Sequence, residues 1–372
     1  MKKVDENNKW VFPHSYGSIY DIEEVVAALE VMKCGALTSA SLVKEFERKF
    51  AEYVGGQFGV ATNSWGGGAQ LVADILELTD NDEVIVPAWT MSASANIFAR
   101  SGARIIFADV NPDTFNIDPD KVEEKISKDT KAIVVVHMCG QPCEMDKIVE
   151  ISKRYNIPVI QDAAHAPGAK YKNRKLGEFG GFVIYSFHQA KNIVTLGEGG
   201  MVVVNNKEWK DKLYKLRAHG MGEYIGYSNR MTEIQASVGL VQLKRLDEMN
   251  NKRRALSYKL SELLSQSKEI RTPYEIPNIY HTYHLYSIQV EKLEIEKLKR
   301  LLWIKGRIMT IAYFPTLNNL DCYRQLGHKA GECPSAEEAA AKTLVLPLSP
   351  LYSEGDIEEM ANKVLNIVEE YK

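Results

Sequence analysis

The sequence predicts an α/β fold built on a large, mainly parallel sheet, followed by a smaller α+β unit, and three observations carry that expectation. From Phe58 to Gln161, short apolar runs alternate with stretches of helical periodicity, the pattern of strands joined by crossover helices. A further pair of apolar runs, FVIYS and MVVVN, brackets a segment that holds Lys191 and a glycine-rich turn. From about Asn251 the pattern changes to an alternating run, HTYHLYSIQV, with helices EIEKLKRLLWI and GDIEEMANKVLNIVEEY after it, as in an antiparallel sheet covered by helices. Residues 1–250 are therefore expected to form a large domain that includes N-terminal helices, and residues 251–372 a small one.

Taken in order, Asp21 to Val54 reads as two helices, IEEVVAALEVM and LVKEFERKFAEYV, separated by CGALTSAS, whose glycine and hydroxyl residues break the periodicity and supply caps. The alternation then runs FGVAT with AQLVADILEL, EVIVP with SASANIFARSG, ARIIFADV with DPDKVEEKI, KAIVVVH with MDKIVEISKRY, and finally PVIQD. Past Asn205 come the helix WKDKLYKLRAHG and a long one beginning TEIQASVGLVQLKRLDE. No repeat or low-complexity linker interrupts the chain. The order of the strands is not readable from sequence.

Composition narrows the function. A chain of 372 residues can bury a substantial core. Its 46 basic and 49 acidic residues give a formal net charge of −3 without a long run of one sign, so there is no electrostatic case for nucleic acid. The opening MKKVDENNKWVF lacks the apolar core of a signal peptide, and no stretch reaches bilayer length, so a cytoplasmic protein with no membrane partner is expected. The five cysteines are odd in number, and the spacing of Cys139 and Cys143 fits neither a redox pair nor paired zinc ligands. Free thiols in a reducing compartment are the expectation. The eight histidines form no HExxH-like set, and no metal is expected.

The chemistry gathers at strand ends. Lys191 follows FVIYS, and Asp162 and His165 follow PVI in QDAAHAPGA; ligands of open α/β sheets bind beyond such ends. By itself a lysine there reads as a solvated surface charge, and Asp162 as a helix cap. Together, a lysine able to carry a Schiff base and a carboxylate for a pyridine nitrogen are what an enzyme using pyridoxal 5'-phosphate (PLP) requires. The turn NSWGGGA, Asn63 to Ala69, leaves backbone N–H groups at a helix start, where an anion is favoured, although a glycine run is also simply a flexible turn. GEGG, Gly197 to Gly200, reads as a tight turn into the next strand.

VIVPAWTMSASAN, FADVNPDTFNIDP, TKAIVVVHMCGQPCEMD, QDAAHAPGA, SFHQAKNIVTLGEGG and RMTEIQASVGLVQLKRLDE occur in the order expected of the DegT/StrS family of sugar aminotransferases, which most of the chain resembles. The resemblance implies the PLP-dependent aspartate-aminotransferase-like fold (fold type I) and a homodimer with shared active sites. It implies transfer of an amino group from glutamate or glutamine to a keto-sugar or keto-cyclitol. Lys191 would hold PLP and move the proton between substrate and cofactor, with its pKa depressed by desolvation and the nearby cationic ring. Asp162 would pair with the pyridine nitrogen, and His165 would lie beside the phenolic oxygen. Trp89 would stack on the ring, its alternative being a core anchor. Gly66, Gly67 and Ser186 would hold the phosphate, and Thr38 and Ser39 would lie near substrate.

The chain also departs from the family. The usual Ser-Gly-Thr turn becomes Ser64-Trp65-Gly66, which removes a hydroxyl from the phosphate site and puts a large aromatic where it narrows the pocket. The family's Gly-x-Asn-x-Arg, whose asparagine reaches the neighbouring subunit's phosphate, becomes Gly226-Tyr227-Ser228-Asn229-Arg230, so Ser228 or Asn229 would take that contact. Asn318 stands where nucleotide-sugar members often have histidine, which weakens nucleotide-sugar specificity and keeps a keto-cyclitol or an unlinked keto-sugar as the alternative to the nucleotide-linked keto-sugar that the resemblance implies first. A non-catalytic regulatory relative would not need both Lys191 and Asp162. Dehydratases of the family replace the lysine.

Overall fold

The structure, a computed structural model, describes residues 17–38 and 40–372; Ser39 lies outside the described residues. The large sheet has seven strands: β1 (Phe58–Thr62), β2 (Glu83–Pro87), β3 (Arg104–Ala108), β4 (Thr130–Val136), β5 (Val159–Asp162), β6 (Phe182–Ser186) and β7 (Gly200–Val204). Their spatial order is β1-β7-β6-β5-β4-β2-β3. Only β7 runs against its neighbours, pairing antiparallel with β1 and β6, while the other pairings are parallel. β1 to β6 therefore all end at one edge of the sheet. All residues of β5, β6 and β7 are buried, because helices cover both faces and a Val/Ile-rich run has no polar side to expose.

Eight helices surround this sheet and lead away from it: α1 (Ile22–Cys34), α2 (Ser41–Tyr53), α3 (Trp65–Ile75), α4 (Ala93–Arg100), α5 (Pro119–Glu123), α6 (Met145–Tyr155), α7 (Lys207–Arg217) and α8 (Glu233–Leu264). Asp21 and Glu24 form a capping box at the start of α1, and Thr232 and Gln235 form one at the start of α8. α2 begins after Ala40, which has no side chain to cap it. The buried Glu233 carboxylate substitutes, accepting the N–H groups of Ala40, Leu42 and Val43 at 2.7, 2.8 and 3.3 Å. A second buried charge, Arg217 of α7, pairs with Glu47 of α2 and donates to the Ala61 carbonyl of β1.

α8 passes through residue 250 as one continuous helix. Its first half gives Ala236 and Leu246 to a core on the large sheet; its second half gives Leu256, Leu260 and Leu264 to a separate core. That second core is closed by a four-stranded antiparallel sheet, in the order Ile270–Arg271, Tyr286–Val290, Thr343–Leu346 and Ile311–Ala312, and by the helix Glu354–Tyr371. The run HTYHLYSIQV becomes a strand only from Tyr286, and its alternation does not expose a face. Ser287 and Gln289 are buried and satisfied instead, by Cys139 Sγ at 3.2 Å and Arg271 Nη1 at 3.4 Å. Tyr313, Leu317 and Tyr323 join the core of the large sheet, so the C-terminal part of the chain packs directly over the strand ends. Among the described residues no helix is long and apolar enough to cross a membrane.

Candidate active site

The edge where β1 to β6 end brings the chemistry-bearing residues together. Asp162 is the last residue of β5 and Ser186 the last of β6; Lys191 sits in the β6–β7 connection, and the NSWGGGA turn follows β1. Asp162 is buried, and burial pushes its carboxyl pKa up. Opposing this are the Ser94 Oγ donor on Oδ2 (2.7 Å), the Ala164 N–H on Oδ1 (3.0 Å), the Lys191 charge and the Trp65 indole. Lys191 responds in the opposite sense. Burial lowers its ammonium pKa to about 8, with Asp162 and Cys139 holding it from falling further.

His165 is buried, and burial followed by the Lys191 charge keeps its pKa well below the ordinary value, so the imidazole is neutral. Its Nδ1 has no hydrogen-bond partner. The ring lies against His284, with centroids 4.4 Å apart. His284 Nδ1 meets Asn192 Oδ1 at 3.3 Å, and the Asn192 amide donates to Asn250 Oδ1 of α8 and to the Thr282 carbonyl. The residue after the lysine is thus pinned to α8 and to the loop entering the small sheet. Gly17 closes the other side: at φ +62°, a Cβ there would collide with the carbonyls of Gln189 and Lys191.

At the turn after β1, Ser64 caps α3, its Oγ accepting the Gly67 N–H at 3.0 Å. Of the two glycines expected at the phosphate, Gly67 therefore already has its N–H engaged. Gly66 N–H and Trp65 N–H lie in the first helical turn, where no carbonyl one turn back can take them. Ser186 is buried nearby in the sheet edge, its Oγ accepting the His188 N–H at 3.3 Å. A Cβ on Gly66 would make ordinary contact with Ile97 and Ser64 at 3.8 Å, whereas one on Gly68 would press on Val202 at 2.8 Å. The GEGG glycines do more than turn: a Cβ on Gly200 would strike the Ser64 carbonyl, so β7 can start only by grazing this turn. An open cavity of about 720 Å³, lined by Asn63, Ser64, Gly66, Gln70 and Asn229 among others, lies beside it.

Three further residues singled out by sequence sit in defined surroundings. Trp89 is 1% exposed, meets Phe115 and Tyr313 edge to face, and donates its indole N–H to the Phe314 carbonyl at 2.7 Å. Its ring is thus held rigidly in the core beside Tyr313, at the edge where the strands end; Met91, two residues on, is 44% exposed. Asn229 directs its amide to its own chain, to the Gly67 carbonyl (3.3 Å) and Gln70 Oε1 (3.2 Å), rather than towards a neighbour. In this extended, bridged segment a one-residue shift turns a side chain to the opposite side, and Ser228 is left exposed. Asn318 is fully buried and donates to the Lys329 carbonyl and Glu337 Oε1, while the N–H of Leu317 before it donates to the Ala88 carbonyl just past β2 at 2.7 Å.

Residues not singled out by sequence also enter the site. Ser94, at the start of α4, holds Asp162. Tyr313 is buried, its phenol pKa pushed up by burial and by the neighbouring Cys139 and Asp162. Cys139 stands close to Lys191 in a left-handed conformation, φ 56°. Ser94 and Tyr313 belong to segments far away in sequence, and no spacing rule connects them. Thr38 pairs by a backbone bridge with Thr232 at the start of α8.

The model of the DegT/DnrJ/EryC1/StrS aminotransferase family matches residues 19–365. The spore coat polysaccharide biosynthesis protein SpsC of Bacillus subtilis is 34% identical over 93% of this chain and 94% of its own. Streptomyces venezuelae DesV, solved in complex with a ketimine intermediate, superposes with a TM-score of 0.90 at 29% identity over 94% of this chain and 95% of that one. Helicobacter pylori PseC, an aminotransferase involved in the biosynthesis of pseudoaminic acid, gives 0.89 at 27% identity over 97% of this chain and 100% of that one.

Proposed function

The chain belongs to the DegT/DnrJ/EryC1/StrS aminotransferase family and is a PLP-dependent sugar aminotransferase, and from that premise we propose that it moves an amino group from glutamate or glutamine to a nucleotide-linked keto-sugar, with Lys191 as the catalytic lysine. The observation that carries this reading is the pairing of Lys191, its pKa lowered to about 8, with the buried carboxylate of Asp162 at one strand edge. A surface lysine and a helix-capping aspartate would show neither feature.

The side chains fit the cofactor. Asp162 keeps acceptor capacity for a protonated ring nitrogen, and Trp65, Gly66 and Ser186 offer donors for the phosphate where the α3 terminus favours an anion. His165 presents a neutral ring with an unused nitrogen. PLP supplies an electron-withdrawing ring that takes up the electron pair left when a proton departs from the substrate carbon. The protein does the rest. Lys191, neutral in an appreciable fraction near pH 7, takes that proton and returns it. Tyr313, His165 and His284 enclose the reacting atoms and exclude water, and Asn192 holds the lysine segment in place.

The working unit in this proposal is a homodimer. α1 leaves Ile22, Val25 and Met32 exposed, and Leu196 of the lysine loop is exposed beside them, bonded through its N–H to Tyr20. A second copy would cover this apolar face. The nucleotide-linked acceptor is preferred because it is the common one among the enzymes the chain resembles, and the Asn318 amide, engaged by Lys329 and Glu337, is the weaker ground for a smaller one.

Borohydride reduction of the holoprotein followed by peptide mass mapping should place the pyridoxyl group on Lys191, and a label elsewhere removes that assignment. The acceptor is tested by charging the protein with glutamate or glutamine and offering a nucleotide-linked keto-sugar, an unlinked keto-sugar and a keto-cyclitol. Aminated nucleotide sugar is the expected product. Turnover confined to the other two would replace the acceptor in this proposal.

A further inference from the structure

Trp65 is the first residue of α3 and only 6% exposed, packed in the same core as Trp89, Met138, Cys139 and Ala164. Its indole N–H is sealed from solvent and makes no hydrogen bond, although a buried donor left unpaired costs about 1–3 kcal/mol. The group it faces is the Asp162 carboxylate, which it helps to hold in the charged form without reaching bonding geometry. That carboxylate has about four lone-pair directions. Ser94 fills one and Ala164 a second, so one remains for Trp65 and one for a ring nitrogen.

We propose that Trp65 is a positioning residue for Asp162, whose indole N–H closes onto the carboxylate when the cofactor is bound and fixes the remaining lone pair on the ring nitrogen. The inference rests on the PLP site proposed above. An indole N–H donates and never accepts, so it favours the ionised carboxylate, to which its bond is stronger, whereas a hydroxyl could also accept the proton of the neutral acid. The residue that breaks the family's Ser-Gly-Thr pattern thereby turns its side chain into the core and adds a fixed donor at the ring nitrogen's partner.

The test uses Trp65→Phe, which keeps the aromatic volume and deletes the donor, in the wild-type and in the Asp162→Asn holoenzymes. The dissociation constant for PLP, measured by equilibrium dialysis, should rise about tenfold or more in the wild-type background and be unchanged by the same substitution in Asp162→Asn. The acid limb of the pH profile of kcat/KM should move to higher pH in Trp65→Phe, since a carboxylate that loses a donor protonates more readily. Equal losses in both backgrounds, or a profile that only falls without shifting, would mean that Trp65 merely fills space and would overturn the inference. Trp65→Phe with wild-type retention and an unmoved limb would overturn it as well. Failure of every form to bind PLP would instead sink the site proposed above.

Discussion

At the residue scale the proposed chemistry turns on Lys191, and burial is what makes it usable. An exposed lysine titrates near 10.4, so almost none of it is neutral at physiological pH. Desolvation lowers Lys191 to about 8, against the attraction of Asp162 and Cys139, which raises it. Capture of PLP needs the neutral amine. The rate constant for PLP uptake by the apoprotein, followed by stopped-flow absorbance, should therefore rise with pH and level off just above pH 8. In Asp162→Asn the charge that raises the lysine pKa is gone, so the plateau should begin at lower pH. A rate still climbing at pH 10 in the native protein would mean that Lys191 is not desolvated.

Elements are held in register by buried polar contacts as much as by apolar ones. Arg217 of α7 and Glu47 of α2 are 6% and 7% exposed, and both also bond Ala61 at the centre of β1, which leads into the phosphate turn. Burial raises the Glu47 pKa, and Arg217 is the first group opposing that rise. Removing one partner strands a charge. Arg217→Ala is expected to cost about 3–5 kcal/mol, measured by urea denaturation. Replacing both residues by leucine should cost far less, because no charge is left uncompensated. A loss under about 1 kcal/mol for Arg217→Ala would assign α7 packing to apolar contacts alone.

For the whole molecule the decisive feature is an apolar face of α1 left exposed among the described residues. Ile22 is 66%, Val25 58% and Met32 61% exposed, an arrangement that water does not favour on a monomer. Sedimentation of the native protein should give a dimer. Val25→Glu with Met32→Glu should give monomers, and because Leu196 bonds Tyr20 next to this face, the monomers should release PLP faster. A native monomer that retains PLP and turns over would refute the shared-site dimer.

Most strands and helices of the large sheet were legible because their signals are local: apolar runs of strand length, helical periodicity and capping residues act within a few positions. So were Lys191, Asp162 and His165, which stand at or just past strand ends. The β7 reversal was not legible, since pairing direction depends on which strands meet across long loops. The sealing of Trp89 was likewise set by Tyr313 and Phe314, more than two hundred residues away. The placement of Asn229 and Asn318 depended on which side of the backbone faces which neighbour, and the donors around Asp162 came from three separate segments. Sequence determined the elements and the chemical groups, because those follow from short-range sterics and hydrophobicity. Only the tertiary structure decided which groups lose water together, and that shared desolvation brings Lys191 to about 8 and leaves the Trp65 indole facing a carboxylate.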